Sequence, residues 1–144
     1  MASLSKHTNG WITMPRPTEK TPPTLDVTAE QARAGLKAVF GLFERWDLTE
    51  QDCQALLGNP DAETCRRWRN DEIDAVPTET MWRLGDLLGI HAALRQLFEE
   101  PARGYAWIKR PNSAFGGHSA LETMLRGASD ITDVRRYLVS QIGP

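Results

Sequence analysis

Arg66, Arg67 and Arg69, with Thr64 and Asn70 beside them, are the residues of this chain best suited to reading another molecule by charge and hydrogen bonding. Arginine grips guanine bidentately in the major groove of DNA, and Thr and Asn reach other base edges. The five residues fall on the outer face of a helix expected over about 61–70, with Cys65 and Trp68 on its inner face. A short helix before it, opened by Thr49 and stopped by Gly58, and a turn at Asn59-Pro60 complete a helix-turn-helix pattern. The neighbouring charge opposes this use. Between Thr49 and Ala75 stand seven acidic residues (Glu50, Asp52, Asp61, Glu63, Asp71, Glu72 and Asp74) and only three basic ones. Such a surface repels phosphate unless the acids face away. The helix is either a DNA reader or a packing and dimerising element, and the residues alone leave both open.

Catalytic and metal chemistry find little to use. The chain contains no GxSxG, P-loop, GxGxxG or HExxH pattern. Asp71-Glu72 and Glu99-Glu100 are adjacent pairs, which point to different sides of a helix or lie in loops. Gly116-Gly117 reads as a turn needing positive φ. His7, His91 and His118 stand apart, and Cys53 and Cys65 fall among apolar helical positions, as small core side chains do. The expectation is a binding protein with no catalytic residue, cofactor or metal.

A second group of recognition residues lies in the last third. Trp107, Arg110 and Phe115 sit together in a stretch dense in aromatic and turn residues, the composition of a binding hot spot or of a small satellite core. In the final helix Arg135, Arg136, Tyr137, Ser140 and Gln141 fall largely off the stripe of Ile131, Val134, Leu138 and Ile142, and so could face a partner. Pro144 adds a compact carboxylate, suited to a pocket lined with cations and backbone donors.

Helices are expected to position all of these residues. Thr28 caps a helix carrying Leu36, Val39, Phe40, Phe43 and Trp46 on one face. Pro77 and Thr78 open a helix with Met81, Leu84, Leu87 and Leu88 inward, which Gly89 is expected to end; Ile90, Leu94, Leu97 and Phe98 would line the next. Pro101 to about Ile108 is a short helix, Ser119 caps another, and Ser129 is expected to cap the last. No strand alternation and no internal repeat interrupt this pattern, so the fold class is all-α. Before Thr28, four prolines (Pro15, Pro17, Pro22 and Pro23) forbid a continuous helix, and residues 1–26 are expected to be a flexible arm with Trp11 and Ile12 as a docking point. The polar opening Met1 to Gly10 is no signal peptide, and no apolar run reaches the length of a membrane span, so the cytoplasm is the expected location. With 144 residues and a net charge of −2, the chain suits one or two small domains and not a general polyanion binder.

Trp107, Pro111-Asn112, Phe115-Gly116-Gly117, Ser119, Leu121, Leu125, Gly127, Val134 and Leu138 together resemble the toxin-binding domain of the Xre/MbcA/ParS antitoxin family. Ala55-Leu56-Leu57-Gly58 and Trp68-Arg69 are similar to that family's helix-turn-helix, and Arg83-Leu84 to Leu97-Phe98 to its linking helices. The resemblance covers about residues 30–144; Ala120 replaces a frequent Pro, and the arm has no counterpart. It implies an N-terminal Xre-like helix-turn-helix domain with dimerising helices at 27–98 and a small helical toxin-binding domain at 99–144. It further implies a type II antitoxin that covers the active site of an NAD-consuming RES-type toxin and represses its own operon. Operator DNA would be bound by the chain alone or only as the toxin complex, and a homodimer or larger hetero-oligomer is expected. A stand-alone helix-turn-helix regulator with a C-terminal dimerisation or ligand-binding module is the alternative.

Overall fold

In the computed structural model, which describes residues 28–143, every regular element is a helix, with one isolated bridge between Pro111 and Ser119. Helix α1 (Ala29–Arg45) begins in a capping box. The Thr28 hydroxyl accepts from the Gln31 N–H, and the Gln31 side chain accepts from the Thr28 N–H. Two amides that the first turn cannot satisfy are thereby paired. Leu36, Val39, Phe40 and Phe43 are buried at the expected period, as is Trp46 at the C-terminal cap.

Helix α2 (Glu50–Leu56) is capped by Thr49, and the chain then reverses through Gly58 and Asn59, both with left-handed φ of +96° and +61°. Glycine takes that conformation without steric penalty, and asparagine tolerates it better than most residues. Helix α3 (Ala62–Arg69) starts at Asp61, whose carboxylate accepts from the Thr64 N–H at 2.7 Å. That hydrogen bond holds the Asp61 carboxyl below its usual range. Cys53, Cys65 and Trp68 turn into the core. Burial pushes both thiols up, so they serve as small apolar groups and not as reactive thiolates.

Helix α4 (Thr78–Leu97) departs from expectation. Gly89 does not end it; the helix continues for eight more residues. A Cβ on Gly89 would lie under 3.0 Å from Nε, Cζ and Cδ of Arg135, so this glycine marks a close approach of the last helix. Every residue from Thr80 to Ile90 is buried, which makes α4 the central helix of the molecule. Helix α5 (Pro101–Trp107) has Pro at its first position, where a missing N–H matters least. A 3-10 turn (Ser113–Phe115) and helix α6 (Ala120–Met124) follow, the latter opened by a Ser119–Glu122 capping box.

Helix α7 (Ala128–Ile142) has Gly127 at its N-terminal cap. Ser129 therefore lies inside the first turn and does not cap it. Ile131, Val134 and Leu138 are buried, but Ile142 is 37% exposed and leaves the inward stripe. Its closest packing is along α4, which also lies against α1 and α5. One cluster of buried side chains runs from Ala32 to Leu138. No described helix is long and apolar enough to cross a membrane.

Candidate functional site

Three elements distant in sequence bring their aromatic rings together. Trp107 ends α5, Phe115 ends the 3-10 turn, and Tyr137 lies on α7. Trp107 stacks on Tyr137 with ring centroids 6.4 Å apart and planes within 5°. Phe115 meets both edge-on, at 6.1 Å from Trp107 and 5.2 Å from Tyr137. All three rings are half-buried and pack on the core with one side open. Such pairs contribute about 0.5–1.5 kcal/mol each beyond area burial.

The loop that presents Phe115 is built by Asn112. Its side-chain oxygen accepts from the Ala114 N–H at 2.9 Å, and its carbonyl accepts from Phe115 and Gly117 N–H groups. Its own N–H donates to the His118 carbonyl at 3.0 Å. Gly116 takes left-handed φ, +67°, to close this turn. The Ser119–Glu122 box fixes the far end, and the Ser119 N–H holds the Glu122 carboxyl below its usual range. Lys109 anchors the near end by donating to the Asp47 carbonyl at 2.7 Å. Arg110 lies exposed between these anchors.

On α7 the predicted partner-facing residues divide. Arg136, with 76% of its side chain exposed, makes a local pair with Asp133 at 3.5 Å. Ser140 and Gln141 are exposed, as are the apolar Val139 (50%) and Ile142. Tyr137 belongs to the aromatic cluster. Arg135 turns inward: its Nη1 donates to Asp86 Oδ1 at 3.1 Å, and Asp86 is 5% exposed. The Thr132 hydroxyl donates to the other oxygen of Asp86 at 2.6 Å. Pro144, with the arm 1–26, lies outside the described residues.

The outer face of α3 is neutralised from within. Arg66 donates to Glu63 at 2.5 Å and 3.1 Å, and Arg67 reaches Asp74 at 2.5 Å. Arg69 holds both oxygens of Glu50, at 3.1 and 3.2 Å, and covers the Phe40 ring at 4.4 Å. The Arg66 contact also holds Glu63 below the usual carboxylate range. Asn70 caps α3 and is exposed; Thr64 is half-buried over a hollow shared with Gly58, Pro60 and Pro77. The five residues lie along one helix, but they do not form an unopposed basic face.

Sequence reasoning missed Thr80, Arg83, Asp86 and Thr132, the polar side chains that tie α4 to its neighbours. Arg83 Nη1 donates to the carbonyls of Ala55 and Leu56 at 3.3 and 3.4 Å, and Thr80 donates to that of Leu57 at 3.4 Å. Their signal was present: buried charged residues on a helix with apolar positions all round must have partners. Among the described residues no group of three His, Cys, Asp or Glu side chains is disposed to hold a metal.

Residues 93–141 match the family model described as the antitoxin Xre/MbcA/ParS C-terminal toxin-binding domain. The chain is also 40% identical over 131 residues to uncharacterized protein y4oB of Sinorhizobium fredii (strain NBRC 101917 / NGR234), covering 90% of this chain and 99% of the relative. No solved structure matches. The matched stretch contains the Trp107–Phe115–Tyr137 cluster, the Asn112 loop and nearly all of α7. Residues 93–141 are a C-terminal toxin-binding domain of the Xre/MbcA/ParS antitoxin family, and over nearly its whole length the chain belongs to one family with y4oB.

Proposed function

We propose that this protein neutralises an NAD-consuming toxin of the RES type by covering the toxin's active site with α7 and the adjoining aromatic cluster. The single observation that carries the reading is the exposed outer face of α7, with Arg136, Val139, Ser140, Gln141 and Ile142, beside the half-buried rings of Trp107, Phe115 and Tyr137. Aromatic anchors next to exposed cations and small polar groups suit a protein interface. Arg110 flanks this surface. Residues 99–144 act as the toxin-binding part, and 27–98 as the part that contacts DNA and a second copy.

The reading extends to repression of the protein's own operon through a helix-turn-helix of α2, the 57–61 turn and α3, using Thr64, Arg66, Arg67, Arg69 and Asn70. Between residues 28 and 80 eleven carboxylates oppose six lysines and arginines. That surplus repels phosphate, which favours DNA binding by a dimeric or toxin-bound assembly over binding by the isolated chain. The protein acts in the cytoplasm.

Co-expression with the neighbouring open reading frame tests the main reading. The chain should co-purify with that gene product and restore growth when it is toxic. Removing residues 140–144 should leave a helical protein by circular dichroism that no longer rescues. Full rescue by this truncation would place the inhibition elsewhere, on the Trp107 to Phe115 surface. No co-purification and no toxicity would overturn the reading.

A further inference from the structure

Five polar or charged side chains are buried among the described residues, and three of them, Thr80, Arg83 and Asp86, follow one another at steps of three on α4. Gly89 is the next step. Each step of three residues falls about 60° short of a full circle, so the stripe winds through about half a turn of the helix between Thr80 and Gly89. Its first half faces α2. Thr80 and Arg83 donate to the carbonyls of Leu57, Leu56 and Ala55 at the C-terminal end of α2, where a helix runs short of amide donors; the Ala55 carbonyl also accepts from the Gly58 N–H at 3.2 Å. Arg83 Nη2 is steadied by Glu79 at 3.3 Å. The second half faces α7: Asp86 accepts from Thr132 and Arg135, and the bare Cα of Gly89 leaves space for the Arg135 guanidinium to cross α4.

We propose that this winding stripe couples the two ends of the molecule. Arg83 and Asp86 are positioning residues that tie α2–turn–α3 and α7 to the same helix, so a shift of α7 on engaging a partner is passed through α4 and changes the affinity of α2–turn–α3 for its own partner. Naming those partners as toxin and DNA rests on the reading above; the coupling itself does not. Buried polar anchors suit this task because their partners are discrete, and a group pulled from its partner is left desolvated. The helix between them is buried on all sides, and close-packed interiors pass a displacement on instead of absorbing it. The effect is reciprocal by linkage.

Hydrogen exchange on the purified full chain, read by mass spectrometry, tests it without either partner. Thr132→Val removes one hydrogen bond to Asp86 while keeping shape and the Arg135 pair. It should speed exchange about fivefold not only in residues 128–142 but also in 50–69. Arg83→Lys, which keeps the charge and loses the fork, should do the same in the reverse direction. Thr132→Ser keeps the hydroxyl and should behave as the wild type. Variants that each loosen only their own neighbour overturn the proposal, as does a Thr132→Ser that behaves like Thr132→Val. In a second arm, DNA from upstream of the gene is titrated with the wild type and with Thr132→Val, and the variant should show a matching change in affinity. If exchange couples but the wild type binds no such DNA, the DNA reading fails and the coupling stands. If DNA is bound with equal affinity by both, the coupling fails.

Discussion

At the scale of single residues, Gly89 and Arg135 make opposite predictions from ordinary expectation. Gly to Ala inside a helix normally stabilises by about 1 kcal/mol, because alanine loses less backbone entropy. Here the added Cβ would displace the Arg135 side chain from its path to Asp86. Gly89→Ala should therefore lower the midpoint of urea unfolding, and a raised midpoint would mean that Arg135 is not held in place. Removing one partner of a buried ion pair costs about 3–5 kcal/mol, since the other charge is left uncompensated. Asp86 is 7% exposed by side chain and Arg135 27%, so Arg135→Ala should fall at or below the lower end of that range. Arg136, whose pair with Asp133 is 76% and 62% exposed, should change stability by less than about 0.5 kcal/mol when replaced by Ala. Only Arg136→Ala should weaken toxin binding without weakening the fold, as a pull-down paired with unfolding curves would reveal.

At the scale of elements, the arginines of α3 are not equivalent. Among the described residues Arg66 pairs with Glu63 on its own helix alone, whereas Arg69 ties α3 to α2 through Glu50 and to α1 through Phe40. Arg66→Ala should therefore lower operator affinity by about 1–3 kcal/mol if it reads a base, with little change in stability. Arg69→Ala should lower stability first. A gel-shift titration beside thermal unfolding separates the two, and loss of stability from Arg66→Ala would refute the distinction. The same elements explain what was legible in the sequence. Apolar spacing and capping residues such as Thr28, Thr49 and Ser119 are local, so α1, α2 and α6 could be read from their own residues. Gly89 has the local look of a helix stop, because its reason lies on α7, 46 residues away at Arg135. Arg135 looks outward in the sequence for the same cause: its position off the apolar stripe says nothing of a carboxylate on another helix. The aromatic residues of the C-terminal surface were visible as a composition, but the convergence of Trp107, Phe115 and Tyr137 depends on how α7 lies, which no local pattern encodes.

At the scale of the whole molecule, stability should fall in acid in two stages with different origins. His91 stacks on Tyr105 at 6.2 Å, and its Nδ1 is buried without a hydrogen-bond partner among the described residues. Burial first, then the guanidinium groups of Arg95 on α4 and Arg45 at the end of α1, hold its pKa below the ordinary histidine value. A histidine with a depressed pKa is neutral in the folded state while the unfolded chain takes up a proton. Above the ordinary value of about 6.5 both states are neutral and there is no effect; as pH falls below it, the unfolded state gains and stability declines. The second stage belongs to carboxylates. Asp61, Glu63 and Glu122 are held below their usual range by the Thr64 N–H, the Arg66 side chain and the Ser119 N–H, so their contribution is present above about pH 4 and lost beneath it. His91→Phe keeps a ring against Tyr105 and removes the proton site. Urea midpoints of the wild type should drop between pH 7.5 and about 5.5, while those of His91→Phe stay level across that window and fall only in the carboxylate range. An equal drop in both proteins above pH 5.5 would assign the first stage to another group.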